Sequence, residues 1–248
     1  MKILSIGNSF SCDAHAYLYD LAKQRSIDLK AVNLAIGGCS LETHWNNVKE
    51  NNANYLLMIN GNENWEAERV AVEPVIKSEE FDIVTVQQVS HFSGKYETYQ
   101  PYLNNLVEYI RKMQPNAKLY FHGTWAYEID SGHNQFCLYD NNQEKMYEEI
   151  CKASKIATKE IGASFIPAGD VIQALRKRVL SFDYANGGMT LCLGDGFHMS
   201  KTYGRYAVAL TWLATLSGKR VSPMPFMELD INIIKEICDI VNEIVFSK

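Results

Sequence analysis

Short apolar runs alternate with amphipathic helical stretches along the whole chain, and this alternation is the feature that most constrains the fold. The apolar runs lie at 2–6, 29–34, 55–59, 81–86, 118–121 and 164–166. The apolar run at 81–86 is strongly β-branched, as a buried parallel strand is. Helical patterns occupy about 14–23, 40–49, 66–80, 99–113, 142–161, 200–216 and 231–245. This order predicts an α/β fold in which a parallel sheet is covered by helices on both faces.

The length of 248 residues fits one large α/β domain better than two independent domains. No internal repeat, low-complexity tract or linker interrupts the pattern. We therefore expect a single domain over residues 1–248, with a C-terminal helical addition at about 230–247. The apolar stripe of that last helix indicates packing on the domain. The sequence does not reveal an oligomeric state.

The charge pattern excludes one class of partner. The formal net charge is -5, and no block of five or six like charges occurs. A nucleic-acid surface needs a basic stripe that displaces counterions from phosphates, so none is expected. No apolar run reaches the roughly 18 residues that span a bilayer, and because strand-like sequence begins at residue 2 we expect no signal peptide in this sequence. We expect a cytoplasmic protein, or a secreted or periplasmic mature form.

The cysteines and histidines do not form a metal or disulfide pattern. The six cysteines include no CxxC pair, which favours buried free thiols. The six histidines include no HxH or HExxH spacing, so no metal or other cofactor is expected. His15 and His44 stand in helical surroundings, and we expect them to be surface or capping residues.

Candidate functional residues follow the strands. Ligands of such sheets bind beyond the carboxyl ends of the strands, so the turns after Ile6, Leu34, Val86 and Phe121 are expected at one rim. In the first turn, Ser9 precedes a helix. It is either a helix cap, which is the common role of such a serine, or a nucleophile activated by a base.

A base is available near the other end of the chain. Asp195 and His198 lie three residues apart in a glycine-containing loop. A bent loop brings the carboxylate to one imidazole nitrogen and leaves the other nitrogen free to face a nucleophile. Such a pair also occurs in ordinary surface loops, so the motif by itself is not specific.

Further rim residues have two interpretations each. The glycines at 37–38 form a tight turn or expose a backbone N–H to an oxyanion. The amides at 87–88 are solvated or donate to the same oxyanion. Trp125 and Tyr127 contact substrate or pack under a loop.

The order of these motifs resembles that of the SGNH (GDSL-like) hydrolases, a flavodoxin-like α/β/α superfamily of esterases and lipases. Gly7-Asn8-Ser9-Phe10 is similar to its first block, 33–38 to its second and 195–198 to its last. The resemblance covers residues 2 to about 216. The Gln-Gln-x-Ser turn at 87–90 and the stretch 124–127 further resemble an atypical branch of poorly characterised gut-bacterial proteins.

The resemblance implies a metal-independent serine esterase with Ser9, His198 and Asp195 as its triad. Its oxyanion hole would use the N–H groups of Ser9 and Gly38. The third block departs from the family, because 89–91 contain no asparagine. Gln88 is the first candidate for the missing donor, with Gln87 and His91 as alternatives.

The substrate expected from the resemblance is a small acyl ester, such as an acetyl ester of a carbohydrate. The residues expected to contact it are His91, Trp125 and Tyr127. Two alternatives stay open: a catalytically inactive carbohydrate-binding protein on the same fold, and a lipase or thioesterase of the superfamily. The lipase-type GxSxG elbow is absent around Ser9, which argues against the α/β-hydrolase fold proper.

Overall fold

One sheet forms the centre of the molecule. The computed structural model describes residues 1–62, 64 and 66–247. Within them the strand order is β3-β2-β1-β4-β5-β6. The strands are β1 (Lys2–Gly7), β2 (Lys30–Ala35), β3 (Leu56–Ile59), β4 (Ile83–Val86), β5 (Lys118–His122) and β6 (Ser164–Ile166). All pairs are parallel except β2–β3, and the five parallel strands have the flavodoxin-like order.

Helices cover both faces of this sheet. They are α1 (Ser9–His15), α2 (Leu18–Gln24), α3 (Leu41–Glu50), α4 (Val72–Ile76), α5 (Tyr102–Met113), α6 (Gln143–Glu160), α7 (Ala168–Arg178), α8 (Tyr203–Ser217) and α9 (Ile231–Phe246). Successive strand residues point to opposite faces. Thus Ile3 belongs to the apolar cluster that includes side chains of α1, α2, α7, α8 and α9, whereas Leu4 and Ile6 belong to the cluster that includes side chains of α3, α4 and α5. The predicted α/β/α sandwich is confirmed.

The direction of β3 differs from the expected parallel arrangement. The chain leaves α3 near the carboxyl end of β2, and Leu56 pairs with Ala35 while Ile59 pairs with Val32. Strand β3 therefore runs back along the edge of the sheet. An apolar run predicts that a strand is present, but the position where the preceding helix ends decides its direction.

The helix expected at 66–80 is much shorter in the structure. Only Val72–Ile76 is helical. Val70 instead exchanges two backbone hydrogen bonds with Tyr55, at 2.9 and 3.0 Å. A residue that pairs with a strand in this way cannot also belong to a helix, so the helix begins after this bridge.

His15 and His44 are not surface residues, which corrects the expectation. Both are fully buried. His15 Nε2 is bonded to the Ser5 hydroxyl at 2.7 Å, and His44 Nδ1 to the Tyr55 hydroxyl at 3.0 Å. Burial lowers the pKa of each imidazole to about 3, so both are neutral core residues.

The structure also bears on the predictions for the cysteines and for membrane-spanning helices. All six cysteines are free thiols, and Cys12, Cys39, Cys192 and Cys238 are buried, while Cys137 is exposed. No helix in the described ranges has the length and apolar character needed to cross a membrane.

Candidate active site

The register of the parallel strands aligns the predicted site turns. Gly7 pairs with Ala35, Ile6 with Val86, and Val86 with Phe121. The four strands β1, β2, β4 and β5 therefore end at the same level. The turns that follow them meet at one rim of the sheet, as expected from the strand pattern.

The structure separates the two interpretations of Ser9. Asn8 is the N-cap of α1, and its Oδ1 accepts a hydrogen bond from the Phe10 N–H at 3.1 Å. Ser9 is the first helical residue and is partly exposed. Its hydroxyl has no hydrogen-bond partner among residues 1–62, 64 and 66–247. Since Asn8 caps the helix, the Ser9 hydroxyl is available for another role.

Asp195 and His198 form the expected pair. His198 Nδ1 donates to Asp195 Oδ2 at 2.8 Å, and Asp195 Oδ1 accepts from the N–H groups of Phe197 and His198, at 3.0 Å each. Partial burial favours the neutral acid, but these hydrogen bonds outweigh it and lower the pKa of Asp195. An ionised Asp195 fixes the tautomer in which Nε2 is the free, basic nitrogen of His198.

Side chains after β5 hold this loop in place. Trp125 Nε1 donates to Phe197 O at 2.8 Å, the Glu128 N–H donates to Gly196 O at 2.7 Å, and the Ser131 hydroxyl donates to Asp195 O at 3.2 Å. Trp125 also stacks on Phe10, with ring centroids 4.1 Å apart and planes at 6°. One tryptophan thus contacts both the Ser9 turn and the His198 loop.

The His198 loop lies against the Ser9 side of α1. The rings of Phe10 and His198 are 6.1 Å apart, and Met199 N–H donates to Asp13 Oδ2 at 2.8 Å. Ser9 and Asp13 are four residues apart and so share one face of the helix. No hydrogen bond joins Ser9 to His198 in the described structure. In enzymes without substrate such bonds are often long and tighten only in the substrate complex.

Two backbone N–H groups are free at the Ser9 turn. The N–H groups of Ser9 and Gly38 have no hydrogen-bond partner within the described ranges. Gly38 is exposed, with φ of 64°, and a Cβ built on it would meet nothing within 4 Å. Asn8 Nδ2 donates to Cys39 O at 3.1 Å and so ties the Gly38 turn to the Ser9 turn.

The amide of Gln88 is used elsewhere, which removes the support for it as the third oxyanion donor. Its Nε2 donates to both O and Oγ1 of Thr98, at 3.2 and 3.0 Å, and its Oε1 accepts from the Leu41 and Val89 N–H groups. Both amide hydrogens have partners, so Gln88 joins three loops rather than facing the site.

The amide of Gln87 makes two hydrogen bonds with buried side chains. Gln87 Nε2 donates to Asn8 Oδ1 at 2.7 Å, and its Oε1 accepts from His122 Nδ1 at 2.9 Å. His122 is fully buried, and burial lowers its pKa to about 3. Gln87 therefore orients Asn8, which in turn holds the Ser9 and Gly38 turns together.

Trp125 and Tyr127 do not reach the surface, which corrects their assignment to substrate contact. Both are fully buried. Tyr127 is bonded through its hydroxyl to the Ser90 hydroxyl at 2.8 Å. The two rings therefore pack beneath the site. This agrees with the alternative interpretation of the sequence, in which they pack under a loop.

A row of partly exposed rings leads away from His198. The centroid distances are 4.4 Å from His198 to Phe197, 4.9 Å from Phe197 to His133, and 5.7 Å from His133 to His91. Burial lowers the pKa of both His91 and His133, and their mutual proximity adds to the effect on His91. His133 was not identified from the sequence, because nothing in its neighbourhood resembles a motif.

Cys39 and His44 form a second pair beside the Gly38 turn. The Cys39 thiol and His44 Nδ1 are 3.4 Å apart. Burial raises the pKa of Cys39 to about 12 and lowers that of His44 to about 3, so no thiolate–imidazolium pair forms near neutral pH. Within the described residues no group of three or more metal-ligating side chains could hold an ion.

Comparison with known proteins defines the family. The model of DUF4886, a domain of unknown function, matches residues 2–236. The crystal structure of a DUF4886 family protein from Bacteroides uniformis ATCC 8492 has a TM-score of 0.88 and 35% sequence identity. That match covers 99% of this chain and 95% of the other. None of the curated proteins compared with the chain matches it.

More distant solved structures share the architecture. A protein assigned to the SGNH hydrolases, from Slackia heliotrinireducens, has 21% identity and a TM-score of 0.56, over 87% of this chain and 98% of its own. Catalytic mutants of Axe2, an acetylxylan esterase from Geobacillus stearothermophilus, replace an aspartate and a histidine three positions apart. One of them has 14% identity and a TM-score of 0.52, over 86% and 92% of the two chains. The chain therefore belongs to the DUF4886 family and has the fold of the SGNH hydrolases.

Proposed function

We propose that the protein is a serine esterase in which Ser9 is the nucleophile, His198 the general base and Asp195 the residue that orients the base. The observation that carries this proposal is the 2.8 Å bond between His198 Nδ1 and Asp195, in a loop packed on the face of α1 that carries Ser9. The spacing of Asp195 and His198 also equals that of the substituted aspartate and histidine of Axe2.

The reaction follows from these positions. His198 Nε2 takes the Ser9 proton as Oγ attacks the carbonyl carbon of the ester, and ionised Asp195 stabilises the imidazolium. The Ser9 and Gly38 N–H groups donate to the oxyanion. His198 then protonates the departing alcohol. Water attacks the acyl-enzyme, its proton passes to His198, and the acid leaves as the proton returns to Ser9.

The oxyanion hole of this proposal has two backbone donors. Neither N–H group has a hydrogen-bond partner in the part of the chain that the structure describes, and the positive end of the α1 dipole lies at Ser9. Gln88 adds no side-chain donor from the third family block, because both of its amide hydrogens bond to Thr98, whereas Gln87 Nε2 bonds to Asn8 and keeps a second N–H.

We propose a small acyl ester of a carbohydrate as the substrate. The row from Phe197 through His133 to His91 supports this choice, because it combines apolar ring surface with imidazole nitrogens that can bond to sugar hydroxyls. Neutral imidazoles suit an uncharged alcohol. The acetylxylan esterase among the structures with this fold is consistent with such a substrate.

The test of the proposed function is covalent labelling with a fluorophosphonate, followed by intact mass and peptide mapping. Wild type and Ser11→Ala are expected to gain one label at Ser9, and Ser9→Ala none. Ser11 is the matched control, since its hydroxyl on the same helix lies within hydrogen-bond distance of two acceptors, Asn8 O at 2.7 Å and Asn33 Oδ1 at 2.9 Å. Absence of labelling over pH 6–9 would favour the binding protein, and labelling of another residue would refute this triad.

A further inference from the structure

A buried carboxylate lies one helical turn beyond Ser9 and takes no part in the proposed reaction. Asp13 is 1% exposed. Its Oδ2 accepts the Met199 N–H at 2.8 Å, and its Oδ1 accepts Arg205 Nε at 2.9 Å. It thus links α1 to both the His198 loop and the start of α8.

These bonds complete the fixation of His198. Asp195 holds the imidazole through Nδ1, whereas Asp13 holds the backbone at the next residue, Met199. Asp13 and Ser9 project from the same face of α1. One short path between the nucleophile and its base therefore runs through a single turn of helix and one hydrogen bond.

Burial of Asp13 disfavours the charged form of its carboxyl group. Burial raises its pKa to about 6, and the bond from Met199 and the charges of Arg205 and His198 offset only part of that effect. The other ionisable neighbour is Tyr17, whose pKa burial raises, so it stays neutral. Asp13 Oδ1 is also paired with Arg205, so a neutral side chain at this position loses that ion pair and lowers the stability of the fold.

We propose that Asp13 is a positioning residue, which places His198 against Ser9 through the Met199 N–H and whose negative charge stabilises the imidazolium formed during acyl transfer. The inference rests on the proposed function of the Ser9 site. It adds to the triad a second carboxylate that acts through the backbone of the His198 loop.

The variants Asp13→Asn and Asp13→Ala separate the hydrogen bond from the charge. Asparagine keeps an oxygen for the Met199 N–H, whereas alanine removes it. We expect the labelling rate of Ser9 at pH 8 to fall about tenfold in Asp13→Asn and about a hundredfold in Asp13→Ala, with KM for a short acetate ester nearly unchanged. Asp170→Asn is the control, since Asp170 accepts a bond from Tyr147 on α6 and has no place in the site.

The pH profile distinguishes positioning from packing. As pH falls through about 6, the wild-type carboxylate becomes neutral like the asparagine that replaces it. The ratio of wild-type to Asp13→Asn labelling rates should therefore decline toward one, while titrations common to both proteins cancel. The urea midpoint of Asp13→Asn should fall, because the variant loses the ion pair with Arg205, so the pH dependence of the rate ratio and not stability identifies the positioning role.

Three outcomes decide the inference. Equal labelling rates at every pH would overturn it, and so would a loss of the same size at every pH. If wild type is not labelled at Ser9, the proposed function fails and the catalytic part of the inference fails with it. Amide exchange at Met199 then tests the tether itself, which is refuted if Asp13→Ala exchanges no faster than wild type.

Discussion

The Ser9 turn and the Asp195–His198 loop are the two halves of one site, and they are held by different means. Ser9 directly follows β1 at the centre of the sheet, and buried side-chain amides fix the turn around it. The loop of Asp195 and His198 lies outside the six strands; its ends pair with each other through a Cys192–Met199 bridge, and hydrogen bonds from Trp125, Glu128 and Ser131 and to Asp13 attach it to the rest of the domain. The first half is as rigid as the sheet, so variation in catalytic geometry should arise in the second.

The largest expected effect comes from Asp195→Asn. The asparagine oxygen still accepts the N–H groups of Phe197 and His198, so the loop keeps its shape, but the tautomer of His198 is no longer fixed by an anion. We expect kcat for a short acetate ester to fall about 10³- to 10⁴-fold. Steady-state rates measure this, with the circular dichroism spectrum as the control for folding. A loss of less than tenfold would contradict the assigned role.

Acid should destabilise the Ser9 half through its buried histidines. Burial holds the pKa of His15, His44 and His122 at about 3, so the unfolded chain alone binds protons below about 6.5. Their stabilisation is complete above pH 6.5 and is lost as pH falls toward 3, at roughly 4 kcal/mol per pH unit for the three. Asp13, with a raised pKa of about 6, acts in the opposite direction between pH 6 and 4.

Urea unfolding at pH 7, 6 and 5 measures this dependence. The free energy of unfolding should fall less steeply with decreasing pH in His44→Gln than in wild type. The expected difference between the two slopes is about 1.4 kcal/mol per pH unit. Replacement of the partly exposed His133 on the other half serves as the comparison, with a much smaller change expected. Equal slopes for wild type and His44→Gln would mean that His44 titrates in the folded protein.

A smaller effect is expected from Trp125→Phe, which tests the attachment of the loop. Phenylalanine keeps a ring against Phe10 but cannot donate to Phe197 O. We expect kcat to fall about tenfold, since a small displacement of the base costs this much. Trp212→Phe is the matched control, because the buried Trp212 Nε1 has no hydrogen-bond partner in the described structure. Equal kcat values for the two variants would show that the bond is dispensable.

Local signals predicted much of the fold and the identity of the candidate site residues. Hydrophobic periodicity placed the parallel strands, and Asp195 and His198 are close enough in sequence for their bond to be expected. The cap role of Asn8 follows from its place before the first helical residue. It was not assigned, because serine is equally good as a cap.

Partners that are distant in sequence could not be predicted. Gln87 and Gln88 carry the amide chemistry of an oxyanion hole, and only the structure reveals Asn8 and Thr98 as their acceptors. The same holds for Asp13, whose acceptor role depends on a backbone N–H near the other end of the chain. Trp125 is likewise buried by residues that are distant in sequence, so its burial cannot be predicted from the residues on either side of it.

The smallest effect should come from His133→Asn, and it concerns substrate rather than the reaction itself. His133 Nδ1 accepts the Gln135 N–H at 3.1 Å and so caps the following turn. Asparagine is a good cap, so this variant keeps the turn and removes the ring and the Nε2 donor. We expect kcat/KM for an acetylated xylo-oligosaccharide to fall about tenfold, and that for ethyl acetate to stay within twofold, because only the sugar reaches beyond Phe197. If kcat/KM falls equally for both esters, His133 supports the position of His198 and does not bind the sugar. If kcat/KM falls for neither ester, the row of Phe197, His133 and His91 is not part of the substrate site.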